Sequence, residues 1–364
     1  MTALLAPEPL TEQEDWSMPR AEPRYSRSQV DKAGRYLVTA DLESWATSLT
    51  DWGIALSVVD NWRASHSFPL NTFGVGLRVR AKRISSEALV AQRIKRFASI
   101  DAKLRRFPGL RLSQMQDIGG CRAVMSTRED TAALVESYKT SELKHHLARE
   151  DDYIASPKES GYRGVHLVYR YNSDRKTTYN GMQIEVQLRS RLQHAWATAV
   201  ETVGTFLQQS LKASMGAEEW LRFFALMGSV MAFREKTAPV PDTPVALPAL
   251  IADLKHYVKD LDVANTLSTY GAALNVPQTP NFKGARYYLM ELVPGQRTLT
   301  IRGFQSRDLE LATDAYSKVE RALKDPGSQA VLVSVDSIDS LRAAYPNYFL
   351  DTGLFLSAMQ EAIA

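Results

Sequence analysis

The chain has 364 residues, 45% hydrophobic and 23% charged, with a formal net charge of +3. That is ordinary for a soluble globular protein and long enough for two domains, each with its own core. Its one cysteine, Cys121, excludes an internal disulfide and a cysteine-rich zinc site; no apolar run reaches the roughly 18 residues of a membrane span, and the segment 1–16 carries acids where a signal peptide carries bases, so the expectation is a cytoplasmic protein with no membrane contact and no zinc.

Residues 1–30 hold four prolines and mixed charge without apolar periodicity, which reads as a mobile leader within an N-terminal arm of residues 1–40. From 41 to 64 apolar residues recur at helical spacing (Leu42, Trp45, Leu49, Trp52, Leu56, Val59), with Gly53 as a point of interruption and the tryptophans as core. Residues 85–107 read as a basic helix, opened by Ser85-Ser86 before Glu87 and closed by Pro108-Gly109. The span 78–115 holds eleven bases against Glu87 and Asp101, a net of +9, which leaves −6 for the remainder. Such a block suits a polyanion, whether a triphosphate or RNA, with part of it a solvated face.

Strand patterns follow at 122–125, 164–171 and 182–188, and helical ones at 128–138, 191–208 and 217–233. This alternation predicts an α/β (α+β) fold with a mixed central sheet and flanking helices. Prolines at 239, 241, 244 and 248 break both periodicities and mark 236–248 as a linker. Beyond it come a helix at 249–262, a hairpin of 286–293 and 297–303 around Pro294-Gly295, a helix at 308–323 and a strand at 330–335. The aromatic cluster Tyr345-Pro346-Asn347-Tyr348-Phe349 precedes a last helix. These make a small C-terminal α+β domain over 249–364, after a first domain over 41–235. From residue 240 onward there are eleven bases and fourteen acids, a net of −3, weakly complementary to the basic block.

The chemistry-bearing run is Gly161-Tyr162-Arg163-Gly164-Val165-His166, followed by Glu185-Val186-Gln187-Leu188-Arg189. A ring flanked by glycine can face a flat base, Arg and His can meet phosphate or ribose oxygens, and a strand-borne carboxylate can hold Mg²⁺. Upstream stand Arg78-Val79-Arg80-Ala81-Lys82-Arg83, Asp117-Ile118-Gly119-Gly120-Cys121-Arg122 and Asp152-Tyr153-Ile154-Ala155-Ser156-Pro157-Lys158. In this order and spacing, over about residues 40–235, the motifs resemble the synthetase domain of the RelA/SpoT family, whose pattern runs through a basic R-x-K, D-I-x-G-x-R, D-Y-I-x-x-P-K-x-x-G-Y-x-x-x-H and E-V-Q-x-R.

The resemblance implies a nucleotidyltransferase-like synthetase fold and transfer of the β,γ-pyrophosphate of ATP to a ribose hydroxyl. It implies Asp117 and Glu185 as catalytic, Mg²⁺-holding acids, with Glu185 helping to deprotonate the acceptor. Arg78, Arg80, Lys82 and Arg122 would bind ATP. Lys158, Tyr162, His166, Gln187 and Arg189 would bind the acceptor, although Gln187 and Arg189 equally suit a plain strand end. Three features depart from the family pattern: Gly164 stands where serine is usual, Glu201-Thr202 stands where E-H is usual, and around Ser65-His66-Ser67 there is no His-Asp pair of a hydrolase module. Such a chain could make its product but not degrade it.

The tail, with Tyr345-x-x-Tyr348 near its end, resembles the fused toxin and antitoxin subgroup of toxic small alarmone synthetases called CapRel. That implies an antitoxin segment folded back over the ATP site, here with the Tyr345 and Tyr348 cluster near Arg78 and Arg80, and displaced by a phage capsid protein. It also implies pyrophosphorylation of the 3′-terminal adenosine of tRNA, towards which the basic block leans. The alternatives are a synthetase of guanosine tetra- or pentaphosphate from GDP or GTP, and an inactive domain kept to bind RNA or a protein.

Overall fold

A computed structural model of the chain describes residues 21–39, 49–210, 217–272 and 284–364, apart from 324, 326 and 336. The expected leader over 1–20, and Leu42 and Trp45 of the periodic stretch, lie outside the described residues.

Eight strands form one mixed sheet: β1 (Leu89–Ile94), β2 (Gly119–Met125), β3 (His146–Asp152), β4 (Val165–Arg170), β5 (Gln183–Ser190), β6 (Ala285–Val293), β7 (Thr298–Gln305) and β8 (Gln329–Ser334). Their order is β3-β4-β5-β2-β1-β8-β6-β7. The β2–β5 pair is parallel and the other neighbours are antiparallel. The C-terminal hairpin therefore extends the same sheet. Its junction is short, since β1 meets β8 at Gln92↔Ser334 and Arg93↔Val333.

Helices α1 (Arg27–Thr39), α2 (Leu49–Ser65), α3 (Ser67–Ile84), α4 (Phe97–Arg106) and α5 (Arg128–Lys139) pack on one side of the N-terminal strands. Helix α10 (Leu309–Ala322) covers Tyr287 and Leu289 of β6. The alternate residues Tyr288 and Met290 point the other way and pack with Ala91, Tyr345 and Tyr348, as the twofold side-chain period of a strand requires. Helices α6 (Arg191–Ser210), α7 (Ala217–Glu235), α8 (Leu247–Asp260), α9 (Val263–Ala272) and α12 (Gly353–Ile363) build a separate helical core. In α12, Phe355, Ala358 and Met359 share one face by their three- and four-residue spacing and bury it against Phe223 and Phe224 of α7. Burying one such phenylalanine stabilises by about 1.5–3 kcal/mol.

Three expectations are corrected. Residues 27–39 are not a mobile leader: Val30, Ala33 and Leu37 form a buried helical stripe. Gly53 does not interrupt α2, which runs through it. The basic segment 85–107 is not one helix but strand β1, then an extended Arg96, then α4. Its apolar residues Leu89, Val90, Ala91 and Ile94 suit a strand, and the recurring bases hid that. Strand β3 was missed because it is a charged, largely exposed edge, HLAREDD; edge strands carry charge of this kind, which discourages pairing with another chain. Helix α11 (Ile338–Ala344) was also unforeseen. The proline-rich stretch has no regular element before α8 begins at Leu247, and it is docked by buried Arg163, which donates to the carbonyls of Gly228 and Ala238.

Candidate active site

Parallel pairing of β2 with β5 brings Gly120 opposite Glu185 and Arg122 opposite Gln187. Glu185, Gln187 and Arg189 share one sheet face by alternation. On β4, His166 lies opposite Gln187. The side chains close into a ring of hydrogen bonds: Arg189 donates to the Tyr162 hydroxyl (2.7 Å), which meets Nε2 of His166 (2.5 Å). Nδ1 of His166 meets Glu185 (2.9 Å), and the Gln187 amide donates to the other Glu185 oxygen (2.6 Å). Arg189 returns to the Gln187 carbonyl oxygen at 3.3 Å. Burial pushes the Glu185 carboxyl up, but the hydrogen bond and charge of His166 and the bond from Gln187 outweigh it and hold the group below its usual value.

The loop before β4 needs its glycines. Gly161 has φ +93°, and a β-carbon there would lie 2.8 Å from the Phe224 carbonyl and 2.9 Å from the Trp196 ring. Gly164, at the position where the family pattern has serine, has φ +148° and would press a side chain against Arg189. Both conformations strain any residue with a β-carbon. The departure from the family pattern is thus a backbone requirement.

Asp117, just before β2, receives the ammonium groups of Lys95 (2.5 Å) and Lys103 (3.0 Å). Burial raises its carboxyl, and the two lysines more than reverse this, leaving it lowered. Asp117, Glu185, Gln187, Arg93, Lys95 and Arg122 line one cavity of about 50 Å³, and Tyr345 of the C-terminal segment lines it with them. The Arg122 guanidinium is 5.9 Å from the Tyr345 ring centroid. Arg122 is lowered to about 10 by burial and then by neighbouring Arg189. Nε of Arg122 and both Nε and Nη1 of Arg189 are buried without a hydrogen-bond partner among the described residues.

The structure therefore brings together Asp117, Glu185, Arg122, Tyr162, His166, Gln187 and Arg189. Lys158 sits over the rings of Tyr153 (4.2 Å) and Tyr162 (5.4 Å). It does not bring Arg78, Arg80 and Lys82 to the cavity. All three lie on α3, where Arg80 donates to the Ser137 carbonyl and the Ser141 hydroxyl and lies over Tyr138, and Lys82 donates to the Ser86 carbonyl. The expected contact of the tail with Arg78 and Arg80 is corrected accordingly: Tyr345 meets Arg122 and Arg93. Tyr348 is 1% exposed in the core behind it. Sequence reading passed over Arg93, Lys95 and Lys103, although Arg93-Ile94-Lys95 repeats the R-x-K spacing one strand later.

The donor set fits a magnesium ion in kind, since Mg²⁺ is commonly held by one or two carboxylates plus substrate phosphates and two carboxylates open on this cavity. Among the described residues no cluster of three or more His, Cys, Asp or Glu side chains could cage a metal unaided. No helix among them is long and apolar enough to cross a membrane.

A family model described as the region found in RelA / SpoT proteins matches residues 92–204. It takes in Arg93, Lys95, Asp117 and Glu185 and leaves out Arg78, Arg80 and Lys82. The GTP pyrophosphokinase YjbM of Bacillus subtilis is 35% identical over 111 residues, which is 30% of this chain and 52% of that protein. The GTP pyrophosphokinase YwaC of the same organism is 30% identical over 112 residues, 29% of this chain and 52% of that protein. The chain thus spans about half the length of these curated relatives. The small alarmone synthetase 1 of Bacillus subtilis bound to its product pppGpp covers 46% of this chain and 88% of its own, at 24% identity and a TM-score of 0.39. Residues 92–204 thus match the region found in RelA / SpoT proteins and resemble these GTP pyrophosphokinases over that stretch.

Proposed function

We propose that the chain is an ATP-dependent pyrophosphokinase whose acceptor is the 3′-terminal adenosine of tRNA and whose C-terminal segment silences it. The observation that carries the catalytic reading is the pairing, in and beside one cavity, of two carboxylates with buried arginine donors that lack partners. Buried unsatisfied donors are costly, and phosphate oxygens would satisfy them. Lys95 and Lys103 would add cationic charge where the triphosphate reacts.

In the proposed reaction the acceptor's ribose oxygen bonds to the β-phosphorus of ATP. The bond from that phosphorus to the α–β bridging oxygen breaks, AMP leaves, and the hydroxyl proton passes to Glu185. A depressed pKa keeps Glu185 ionised at neutral pH and so able to accept it. Tyr162 and Arg189 hold His166, and His166 and Gln187 hold Glu185 in place. Mg²⁺ held by Asp117 and Glu185 would spread the charge on the transferred phosphates.

Self-inhibition is supported by Tyr345, a residue of the C-terminal segment that fills one wall of the cavity against Arg122. A guanidinium able to lie on a purine ring is thereby covered by an aromatic ring of the same chain. The likeness of this tail to the fused toxin and antitoxin subgroup supports release by a phage protein such as a capsid protein, and with it a role in antiviral defence. The exposed bases Arg106 and Arg111 near α4 support a polyanionic acceptor.

A second reading, synthesis of guanosine tetra- or pentaphosphate from GDP or GTP, is favoured by the GTP pyrophosphokinases among the relatives. One experiment separates the two. Label on the γ-phosphate of ATP should move to bulk tRNA, and only once Tyr345 is replaced or the tail displaced. Label on GDP or GTP instead would select the second reading, and no transfer from an unlocked variant would reject both.

A further inference from the structure

A second cavity, of about 270 Å³, lies between α2, α3, β1, β6, β8 and α10. Leu70, Ile94, Leu309 and Leu332 and the rings of Tyr287 and Tyr316 make its walls mostly apolar. Arg93 belongs to the same strand, but its side chain alternates to the opposite face, towards Tyr345. The cation beside the cavity is already engaged: Arg63 donates to the Lys95 carbonyl, to Asp60, to the Tyr316 hydroxyl and to Glu320.

Two polar side chains on the floor are not engaged. Gln92 and Ser334 stand opposite each other where β1 meets β8. Each is 7% exposed, both line the cavity, and neither side chain makes a hydrogen bond among the described residues. Gly74 makes room for the amide, since a β-carbon there would lie 1.8 Å from Oε1 of Gln92. The polar atoms of both keep some accessible surface, and the two residues stand at one register position and open on one space.

We propose that this cavity binds a neutral, flat nitrogen heterocycle with a hydrogen-bond donor beside an acceptor, adenine being the simplest case. An apolar cavity of about 150 Å³ admits benzene; one of about 270 Å³ has room for a fused bicyclic ring. A glutamine amide presents a donor and an acceptor side by side and pairs bidentately with the edge of adenine, and serine serves in either role. The apolar walls cover the faces of the ring. Asp60 and Glu320 neutralise Arg63, so a phosphate group would find no free cation there. The occupant would touch α2 and β1 on one side and β8 and α10 on the other, and would therefore strengthen the short junction that joins the C-terminal hairpin to the sheet. The site is independent of which acceptor the catalytic cavity uses.

Adenine titrated calorimetrically into the full chain should bind at this site. Gln92→Leu removes the amide at similar volume and Ser317→Phe fills the cavity from α10; each should weaken binding about tenfold or more. Indole, of similar size but without the acceptor, should bind more weakly than adenine. Hydrogen exchange with and without adenine should show protection at 329–334, whose Leu332 and Ser334 line this cavity and not the first, and this map decides alone if either variant melts early. No binding by the unmodified chain, equal binding of indole, binding that survives Ser317→Phe in a folded protein, or protection confined to 89–94 and 117–122 beside the catalytic cavity would each overturn the proposal.

Discussion

The guanidinium of Arg122 lies 5.9 Å from the centre of the Tyr345 ring, so strand β2 and the segment after α11 meet inside one cavity. A contact of this type is worth about 0.5–2 kcal/mol. Removing it should shift the balance between covered and open cavities by about 2- to 30-fold. Tyr345→Ala is expected to raise pyrophosphate transfer from labelled ATP by that order, and to slow growth on induction unless Asp117→Asn is present. Unchanged transfer by a folded Tyr345→Ala protein would mean that the ring does not gate the site.

Tyr348 is expected to behave differently, although it belongs to the same motif. It shares the buried core with Tyr345 but does not line the cavity, and its hydroxyl has no partner among the described residues. Tyr348→Phe should keep the packing and be neutral or slightly stabilising, because it removes an unsatisfied polar group. Tyr348→Ala should cost about 3–5 kcal/mol as a large-to-small core change. Thermal melts of the two variants check this, and a marked loss of stability in the phenylalanine variant would show that the hydroxyl is bonded in solution.

Lys95 and Lys103 hold Asp117, whereas Arg80 and Lys82 are bound to other partners. In an unlocked background, Lys95→Met and Lys103→Met should each lower kcat/KM for ATP by about tenfold or more, as expected when a charge-assisted contact of roughly 1.5–3 kcal/mol is lost. Arg80→Ala and Lys82→Ala should change it little. The reverse ranking would return ATP binding to α3.

How far the site could be read from the sequence follows from the same contrast. Glu185, Gln187 and Arg189 lie on one strand, and a two-residue period is visible in sequence; His166 sits in the run that carries Gly161 and Tyr162. R-x-K spacings occur at Arg80, Arg93 and Arg234, and only the folded sheet shows that the second stands beside Asp117. The hairpin around Pro294-Gly295 was legible from its turn, but its attachment to β1 was not: two residue pairs make that junction, and nothing local in 89–94 or 329–334 announces it. Strand β3 and helix α11 lacked a strong period of their own.

Asp117 and Glu185 both have folded-state pKa values below the ordinary carboxylate range. Their contribution to stability is therefore fully present above the unfolded values of about 3.9 and 4.3, and is lost as pH falls through the folded values. Urea midpoints should be insensitive to these two groups between pH 7 and about pH 5.5 and fall at lower pH. Asp117→Asn should shallow that acid limb while lowering stability at neutral pH by about 1–3 kcal/mol, since two partly exposed lysines lose their partner. An unaltered acid limb would show that the lysines do not depress Asp117.

Arg93, Lys95 and Arg96 are poor probes of RNA binding, because Arg93 and Lys95 line the cavity and Arg96 bonds Gln329. Arg106 and Arg111 are exposed instead. Arg106→Glu with Arg111→Glu should weaken tRNA modification progressively more as salt falls, while any use of GDP stays unchanged. Equal loss with both acceptors, or none with either, would remove this surface from acceptor binding.

Deleting the C-terminal segment is the obvious test of self-inhibition, and the packing argues that it will mislead. A chain ending at residue 248 loses β8, leaving β1 as an open edge beside the catalytic cavity. It also loses Leu250, Leu254, Phe355 and Met359, which bury Phe223 and Phe224 of α7. An unpaired edge next to an exposed aromatic patch promotes association. The truncated chain should therefore elute as oligomers or fail to stay soluble, whereas Tyr345→Ala should elute like the full chain. A soluble, monomeric and active truncation would show that residues 1–248 fold independently and that the shared sheet is not needed to form the site.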